Sequence, residues 1–215
     1  VNYLFDKIAG IVNNFGVDEV RVVVNNKFYK SFLAWRKKYK IKVKIINDGS
    51  NNPNDRLGAI KDMKFAIGKT KADWLVLGGD NLFDDDLLGF IEFAKSKKPY
   101  PSVGLYDVKS KKKATRFGVV QLNQRKRIAE FQEKPKKPFS TLAASCVYFF
   151  PKQSLNSFES FIKQNGNVDA SGKYIAWLSK VSKVFGYTLS GKWIDIGHFD
   201  SLKQAEEEFK QKGGV

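Results

Sequence analysis

Two aspartates, far apart in the chain, each end or follow a short apolar run and could together hold a divalent cation. Asp80 follows the apolar run 74–77, and Asp195 lies within the run 193–196. Ligands of open α/β sheets gather just beyond the carboxyl ends of such buried strands. Mg²⁺ often takes one or two carboxylates and completes its shell with water and substrate phosphates. Each aspartate alone is better explained as a turn residue, but the pair predicts a magnesium site and phosphate chemistry.

Alternating helix and strand patterns precede and surround Asp80 and predict parallel strands joined by crossover helices. The predicted helices of this first half are 3–15, 28–38, 57–67 and 86–97, and its strands are 18–25, 41–47 and 73–78. The second half shows short strands at 102–107, 117–122, 127–133, 142–150, 183–189 and 192–196, with helices at 152–164, 170–180 and 199–211. The fold expected is α/β: a doubly wound, mostly parallel (Rossmann-like) mixed sheet with helices on both faces and an antiparallel extension.

The length and the apolar content predict one globular domain over 1–215. It would have a nucleotide-binding half at 1–98 and an acceptor-binding half at 99–215 that share one continuous sheet. Hydrophobic residues make up 42% of the chain, which excludes a disordered protein. The single cysteine, Cys146, excludes an internal disulfide framework. No apolar run reaches the roughly 20 residues that span a bilayer, and no signal peptide is evident, so we expect a cytoplasmic protein without a membrane partner.

The net charge of +16 favours partners that carry phosphate. The lysines are spread over loops and helix ends, without a helix that collects them into one stripe. This arrangement is better explained by a solvated surface than by a nucleic-acid interface. A nucleic-acid-binding protein therefore stays the less favoured alternative.

Five segments, in this order along nearly the whole chain, resemble the sugar-phosphate nucleotidyltransferases. They are Asp55-Arg56-Leu57-Gly58-Ala59-Ile60, Gly79-Asp80-Asn81, Phe117-Gly118-Val119-Val120, Glu133-Lys134-Pro135 and Trp193-Ile194-Asp195-Ile196-Gly197. Each segment alone is weak evidence for the family, whereas five segments in the family order are specific evidence. The resemblance implies that a sugar 1-phosphate, or a similar phosphorylated alcohol, attacks a nucleoside triphosphate and releases pyrophosphate.

The resemblance also implies roles for residues on the nucleotide side of the site. Asp80 and Asp195 would hold the Mg²⁺ that bridges the phosphates. Gly58 would let the base or ribose approach the backbone at a helix start. Asn81, next to the first aspartate, is assigned to substrate binding, although a turn or a helix cap explains it equally well.

On the acceptor side, the resemblance places Gly118 beside the sugar, where a missing side chain leaves backbone groups accessible. Glu133 would accept hydrogen bonds from sugar hydroxyls, and Lys134 would pair with the sugar phosphate. From the tripeptide alone, a solvated turn at a strand end would be the preferred explanation.

The chain departs from the family at its start. Relatives open with a buried strand and a glycine-rich loop that carries an arginine and is followed by a Pro-Lys pair, and the sequence here begins at the helix that follows. The loop would cradle the triphosphate, and the strand would be central in the sheet, so its loss would leave unpaired backbone on both neighbouring strands. We therefore expect a fragment of a longer protein. The alternative function is a catalytically silent regulatory subunit that binds nucleotide or nucleotide sugar.

Two further departures concern specificity. The residues from Asn51 to Arg56 lack the glutamine that many relatives use to recognise the base. The sequence therefore does not identify which nucleotide base is used. Cys146 stands where the family often has glycine beside the sugar, so the acceptor pocket is expected to differ in shape. The identity of the acceptor and the assembly state, for which a homo-oligomer is one candidate, also stay open.

Overall fold

The computed structural model describes residues 2–52, 54–166, 169–197 and 199–210. Within them the helices are α1 Asn2–Phe15, α2 Asn26–Trp35, α3 Ala59–Ile67, α4 Leu88–Ser96, α5 Lys111–Ala114, α6 Asn156–Asn165, α7 Ser171–Val181 and α8 Phe199–Lys210. The strands are β1 Val20–Val24, β2 Val43–Asn47, β3 Trp74–Leu77, β4 Asn81–Phe83, β5 Ser102–Asp107, β6 Gly118–Leu122, β7 Ile128–Glu133, β8 Leu142–Phe150, β9 Phe185–Thr188 and β10 Trp193–Asp195.

The largest sheet is built around the long strand β8. Its strand order is β7-β6-β8-β5-β9, and β3 pairs with β8 in addition. β5 and β9 are parallel, whereas the pairs made by β8 and by β7 are antiparallel. The α/β class with a mixed sheet is thus confirmed, and the antiparallel part is larger than the sequence predicted.

Two hydrophobic cores lie on opposite faces of this sheet, because successive strand side chains point to opposite faces. Tyr148 and Phe150 of β8 pack with apolar residues of α3, α6 and α7. Val147 and Phe149 pack with apolar residues of α1 and α4. The helices on both faces hold the sheet rigid and so fix the strand ends that carry the candidate site.

The strands do not form the one continuous sheet predicted from the sequence. β1 and β2 form a separate parallel pair, and in the described residues no strand joins β1 to β3. A cleft of about 1520 Å³ lies between them, lined by β1, β3 and the apolar face of α1. Arg21 of β1 reaches across, with its guanidinium 4.9 Å from the centre of the Trp74 ring. The sheet is divided here because, in the described residues, no strand supplies hydrogen-bond partners to the facing edges of β1 and β3.

A short antiparallel pair, β4 with β10, completes the fold beside the end of β3. β4 comes from the first half of the chain and β10 from near its end, so this pairing brings distant segments together. Among the described residues, no helix is both long enough and apolar enough to cross a bilayer.

Candidate active site

The two aspartates predicted to hold the cation lie side by side at one end of the cleft. Asp80 follows β3, and Asp195 is the last residue of β10, opposite Asn81 in the β4–β10 register. The backbone N–H of Ile196 donates to the carbonyl oxygen of Asp80 at 2.7 Å, which fixes the two segments against each other. Both aspartates line the same cleft. Their shared position is the one that the strand-end argument requires.

Three consecutive aspartates after β4 hold the segment that leads into β10. Asp84 accepts a hydrogen bond from the N–H of Lys192 at 2.6 Å, and Asp85 accepts from both the N–H and the hydroxyl of Ser190. Asp85 and Asp86 also accept from backbone N–H groups at the start of α4. These carboxylates therefore position β10, and with it Asp195, in addition to binding N–H groups at the start of a helix.

Asn81 lies beneath the cleft. Its side chain is only 1% exposed, and its amide is engaged at both ends. The oxygen accepts from the indole N–H of Trp193 at 2.7 Å, and the nitrogen donates to Asp80 at 2.8 Å. This geometry favours a role in holding Asp80 over the direct substrate contact expected from the sequence.

Glu133 ends β7 and points into the cleft against the start of α7. Its Oε2 atom is buried without a hydrogen-bond partner, and it lies close to Gly118 and Gly172, where a side chain on either glycine would meet it. Burial raises the pKa of Glu133, and the nearby Lys134 and Lys173 partly offset this shift. An unsatisfied buried acceptor is costly unless a ligand supplies a donor, so the position suits a hydroxyl-bearing molecule.

Lys134 follows Glu133 with a left-handed backbone, at φ +46°. A residue with a side chain rarely adopts this conformation, and such strain concentrates at functional positions. The N–H of Lys134 donates to the carbonyl of Phe117 at 3.0 Å, which anchors the turn. The side chain is exposed and lines the cleft beside Gly118. The ring of Phe131 packs against Gly118 so closely that an added Cβ would lie 2.9 Å from its Cε1 atom.

Tyr148 and Ser171, which the sequence reasoning did not assign, line the wall between the aspartates and Glu133 together with Cys146. The hydroxyls of Tyr148 and Ser171 are hydrogen-bonded at 3.0 Å, and the Cys146 sulfur lies 3.7 Å from the Ser171 hydroxyl. Burial raises the pKa of the Cys146 thiol, with a further contribution from Asp80 and Asp195. Cys146 thus lines the cleft between the aspartates and Ser171.

The start of α3 carries Gly58, which the resemblance assigns to nucleotide binding. Gly58 is buried with φ +87°, a conformation that favours glycine, and it precedes Ala59, whose N–H donates to Asp169 at 3.1 Å. This bond joins the start of α3 to the segment before α7. Asp169 through Gly172, just ahead of an apolar helical pattern, has the composition of a helix start and could have been singled out from the sequence.

Asp62 of α3 is a half-buried carboxyl whose Oδ1 atom has no hydrogen-bond partner. Burial, with Asp48 and Asp169 nearby, raises its pKa from 3.8 to about 6. The folded state disfavours the ionised form of Asp62, so ionisation of this carboxyl lowers the free energy of unfolding. This loss of stability is absent below the ordinary pKa of 3.8 and complete above pH 6.

We therefore expect Asp62→Asn to stabilise the fold at pH 8 by about 1 kcal/mol, after allowance for solvent exposure, which is about 3 °C in Tm. At pH 4.5 the gain should be much smaller. Thermal unfolding at both pH values measures this, with the exposed Asp6→Asn as the control. Equal shifts at the two pH values would contradict the ionisation argument.

Five of the seven predicted site residues line the cleft: Asp80, Asp195, Gly118, Glu133 and Lys134. Gly58 and Asn81 are buried and are not among the residues that line it. No group of three or more His, Cys, Asp or Glu side chains suited to a metal occurs in the described part of the chain. The donor set is therefore two carboxylates, which fits Mg²⁺, an ion that keeps most of its shell for water and phosphate oxygens.

Two solved structures share this fold over nearly the whole chain. One is assigned as a glucose-1-phosphate thymidylyltransferase from Bacillus anthracis in complex with sucrose. It matches with a TM-score of 0.79 at 19% identity, over 98% of this chain and 83% of that one. An apo UDP-glucose pyrophosphorylase matches with a TM-score of 0.76 at 14% identity, over 98% of this chain and 86% of that one. At these identities the likeness establishes the fold.

Curated relatives add sequence similarity over part of the chain. Glucose-1-phosphate adenylyltransferases from Mycoplasma mobile and Clostridium acetobutylicum are 34% and 32% identical over 134 residues, which is 61% of this chain and 35% of each relative. The match thus spans about a third of the length of these relatives. The family model described as Nucleotidyl transferase matches residues 2–212. The chain therefore belongs to the nucleotidyl transferase family, as its five ordered motifs predicted.

Proposed function

We propose that the protein containing this chain joins a sugar 1-phosphate, or a similar phosphorylated alcohol, to a nucleoside triphosphate and releases pyrophosphate. The observation that carries the proposal is the shared cleft. Two carboxylates lie at one wall, Asp80 in the turn before β4 and Asp195 at the end of its partner strand β10, and a partly buried carboxyl with an adjacent lysine lies at the other. The relatives named as glucose-1-phosphate adenylyltransferases support the same reaction class.

In the proposed reaction a phosphate oxygen of the acceptor attacks the α-phosphorus of the triphosphate. The new P–O bond forms as the bond to the β-phosphate oxygen breaks, and the electron pair leaves with pyrophosphate. The acceptor phosphate is already ionised at neutral pH, so the chain needs no general base. Its task is to position the reactants and neutralise charge.

The two aspartates, through the cation that they would hold, and Lys134 would neutralise charge on different groups of phosphates. Asp80 and Asp195 would hold Mg²⁺, which when bound supplies charge neutralisation on the phosphates. Lys134 would pair with the acceptor phosphate, and Glu133 would accept hydrogen bonds from its hydroxyls. Gly118, which has no side chain, lets the ring of Phe131 and the carboxyl of Glu133 pack against its backbone. The raised pKa of Glu133 is consistent with an acceptor that lacks its donor until the sugar binds.

Pyrophosphate release tests the proposal directly. The four nucleoside triphosphates are combined with glucose 1-phosphate and a panel of other phosphorylated sugars and alcohols, using the chain together with any residues that precede Val1. We expect sustained release with at least one pair, and only when both substrates and Mg²⁺ are present. Absence of turnover with every pair would favour the silent nucleotide-binding subunit.

Replacing Lys134 with alanine is expected to raise the KM for the phosphorylated acceptor by about 10-fold to 100-fold, because one hydrogen bond to a charged group contributes roughly 1.5–3 kcal/mol. The KM for the nucleotide should change little. The matched control is Lys136→Ala, which removes an exposed lysine from the same turn. A fall in kcat alone would show that Lys134 acts only in the transition state.

A further inference from the structure

A chain of side-chain hydrogen bonds runs from β10 to the first aspartate. The indole N–H of Trp193 donates to the oxygen of Asn81 at 2.7 Å, and the nitrogen of Asn81 donates to Oδ1 of Asp80 at 2.8 Å. We propose that Trp193 and Asn81 are positioning residues that hold the Asp80 carboxylate in the orientation in which it binds a divalent cation. This inference rests on the proposed function, because it requires that Asp80 bind the cation.

The indole fixes which way the Asn81 amide points. The oxygen and nitrogen of a carboxamide have almost the same shape, but an indole N–H can only donate and a carboxylate can only accept. Reversal of the amide would place two donors together at Trp193 and two acceptors together at Asp80. Because Asn81 is 1% exposed, water cannot relieve either mismatch. The donor on Trp193 therefore determines that Asp80 receives a donor.

Trp193 is itself held rigidly. Its ring stacks on Tyr106 with centroids 5.4 Å apart and planes 9° apart, and the ring of Phe117 lies 4.7 Å away. Its backbone pairs with Phe83 of β4. These two ring contacts and the strand pairing already restrict the Trp193 side chain. Its hydrogen bond to Asn81 therefore costs little additional side-chain entropy.

The same strand carries the second carboxylate. Trp193 and Asp195 are two residues apart on β10, and Asp195 is the register partner of Asn81. The hydrogen bonds from Trp193 through Asn81 thus orient Asp80, and the pairing of β10 with β4 fixes the position of Asp195. Partners that orient metal-binding side chains typically account for 10-fold to 100-fold in metal affinity.

The test measures the binding of Mn²⁺ to the full chain in the absence of substrates. Electron paramagnetic resonance monitors the free and bound Mn²⁺. Trp193→Phe keeps an aromatic ring at this position and removes the N–H, so we expect it to raise the Kd for Mn²⁺ about tenfold. Asn81→Leu should raise the Kd at least as much. The double variant should match Asn81→Leu alone, because the indole acts through the amide. The matched control is Trp177→Phe, which removes an indole bond to Gln164 outside this cluster and should leave the Kd unchanged.

Asp80→Asn separates this inference from the proposed function. If the wild-type chain binds Mn²⁺, Asp80→Asn loses it, and Trp193→Phe binds as the wild type does, the positioning inference is wrong while the cation site stands. If the wild type and Asp80→Asn behave alike, the cation assignment itself fails. Should Trp193→Phe unfold, benzothienylalanine at position 193 keeps the ring shape and replaces only the N–H, and the same tenfold weakening is expected.

Discussion

Replacing Asp195 with alanine is expected to lower the rate of pyrophosphate release by about 10³-fold or more while leaving the fold intact. The carboxylate lies at the end of β10, beside Asp80 in the cleft. Charge neutralisation by a bound divalent cation contributes several kcal/mol to such transfers, and each 1.36 kcal/mol is a factor of ten in rate. Removal of one of the two carboxylates therefore removes most of this contribution.

Asp80→Ala is expected to have a similar effect, and Asp195→Asn tests whether charge or shape matters. Rates are measured by pyrophosphate release with the best substrate pair, and folding by Tm and near-ultraviolet circular dichroism. The exposed Asp6→Ala is the control for general loss of negative charge. A variant at either site that kept a near-normal rate would show that the cation assignment is wrong.

The second large effect concerns the cleft between β1 and β3. A strand of about six residues rich in valine and isoleucine, joined ahead of α1 through a flexible linker, is expected to raise Tm by about 5–10 °C. Burial of about five apolar side chains contributes roughly 10 kcal/mol. Ordering the strand costs somewhat less, and the net gain of a few kcal/mol corresponds to this shift at about 2–4 °C per kcal/mol.

The attachment point follows from the position of α1. The hydroxyl of Tyr3, near the start of α1, donates to the carbonyl of Phe83, at the edge where β3 ends. A strand parallel to β1 and β3 would finish at this edge, so a short connection leads from it into α1 with the usual right-handed crossover. The unpaired edges of both neighbours would then gain partners.

One control makes this prediction specific. The same strand with prolines at alternate positions cannot donate its ladder hydrogen bonds. Amide exchange should slow in Val20–Val24 and Trp74–Leu77 only with the intact strand. Equal stabilisation by the proline variant would mean that the cleft does not accept a paired strand.

The sequence predicted the long elements closely, because their apolar periodicity is strong. β5 and β8 have the predicted bounds 102–107 and 142–150, and α3 begins within two residues of its predicted start. The helix predicted at 199–211 is α8, whose last residue is Lys210; residue 211 lies outside the described part of the chain. Placement of both aspartates in one cleft also followed from strand ends alone.

Other features depended on tertiary contacts that a single sequence does not show. β4 is three residues long, too short for a period of two to be recognised, so its pairing with β10 was not predicted. The resemblance assigns Asn81 to substrate binding, and its burial and its hydrogen bonds to Trp193 and Asp80 favour a role in holding Asp80, which a single sequence does not show. α5 consists of three lysines and an alanine, which carry no amphipathic pattern.

The β4–β10 pairing also has a consequence for how the molecule is made. Trp193 and Asn81, which it brings into contact, are 112 positions apart. Synthesis proceeds from the N-terminus at about 5–20 residues per second, so Asp80 leaves the ribosome several seconds or more before Asp195. A nascent polypeptide that stops short of β10 lacks Asp195, one of the two carboxylates of the proposed cation site. We therefore expect the capacity to bind cation and nucleotide together to arise as one of the last steps of maturation, after the central sheet has formed.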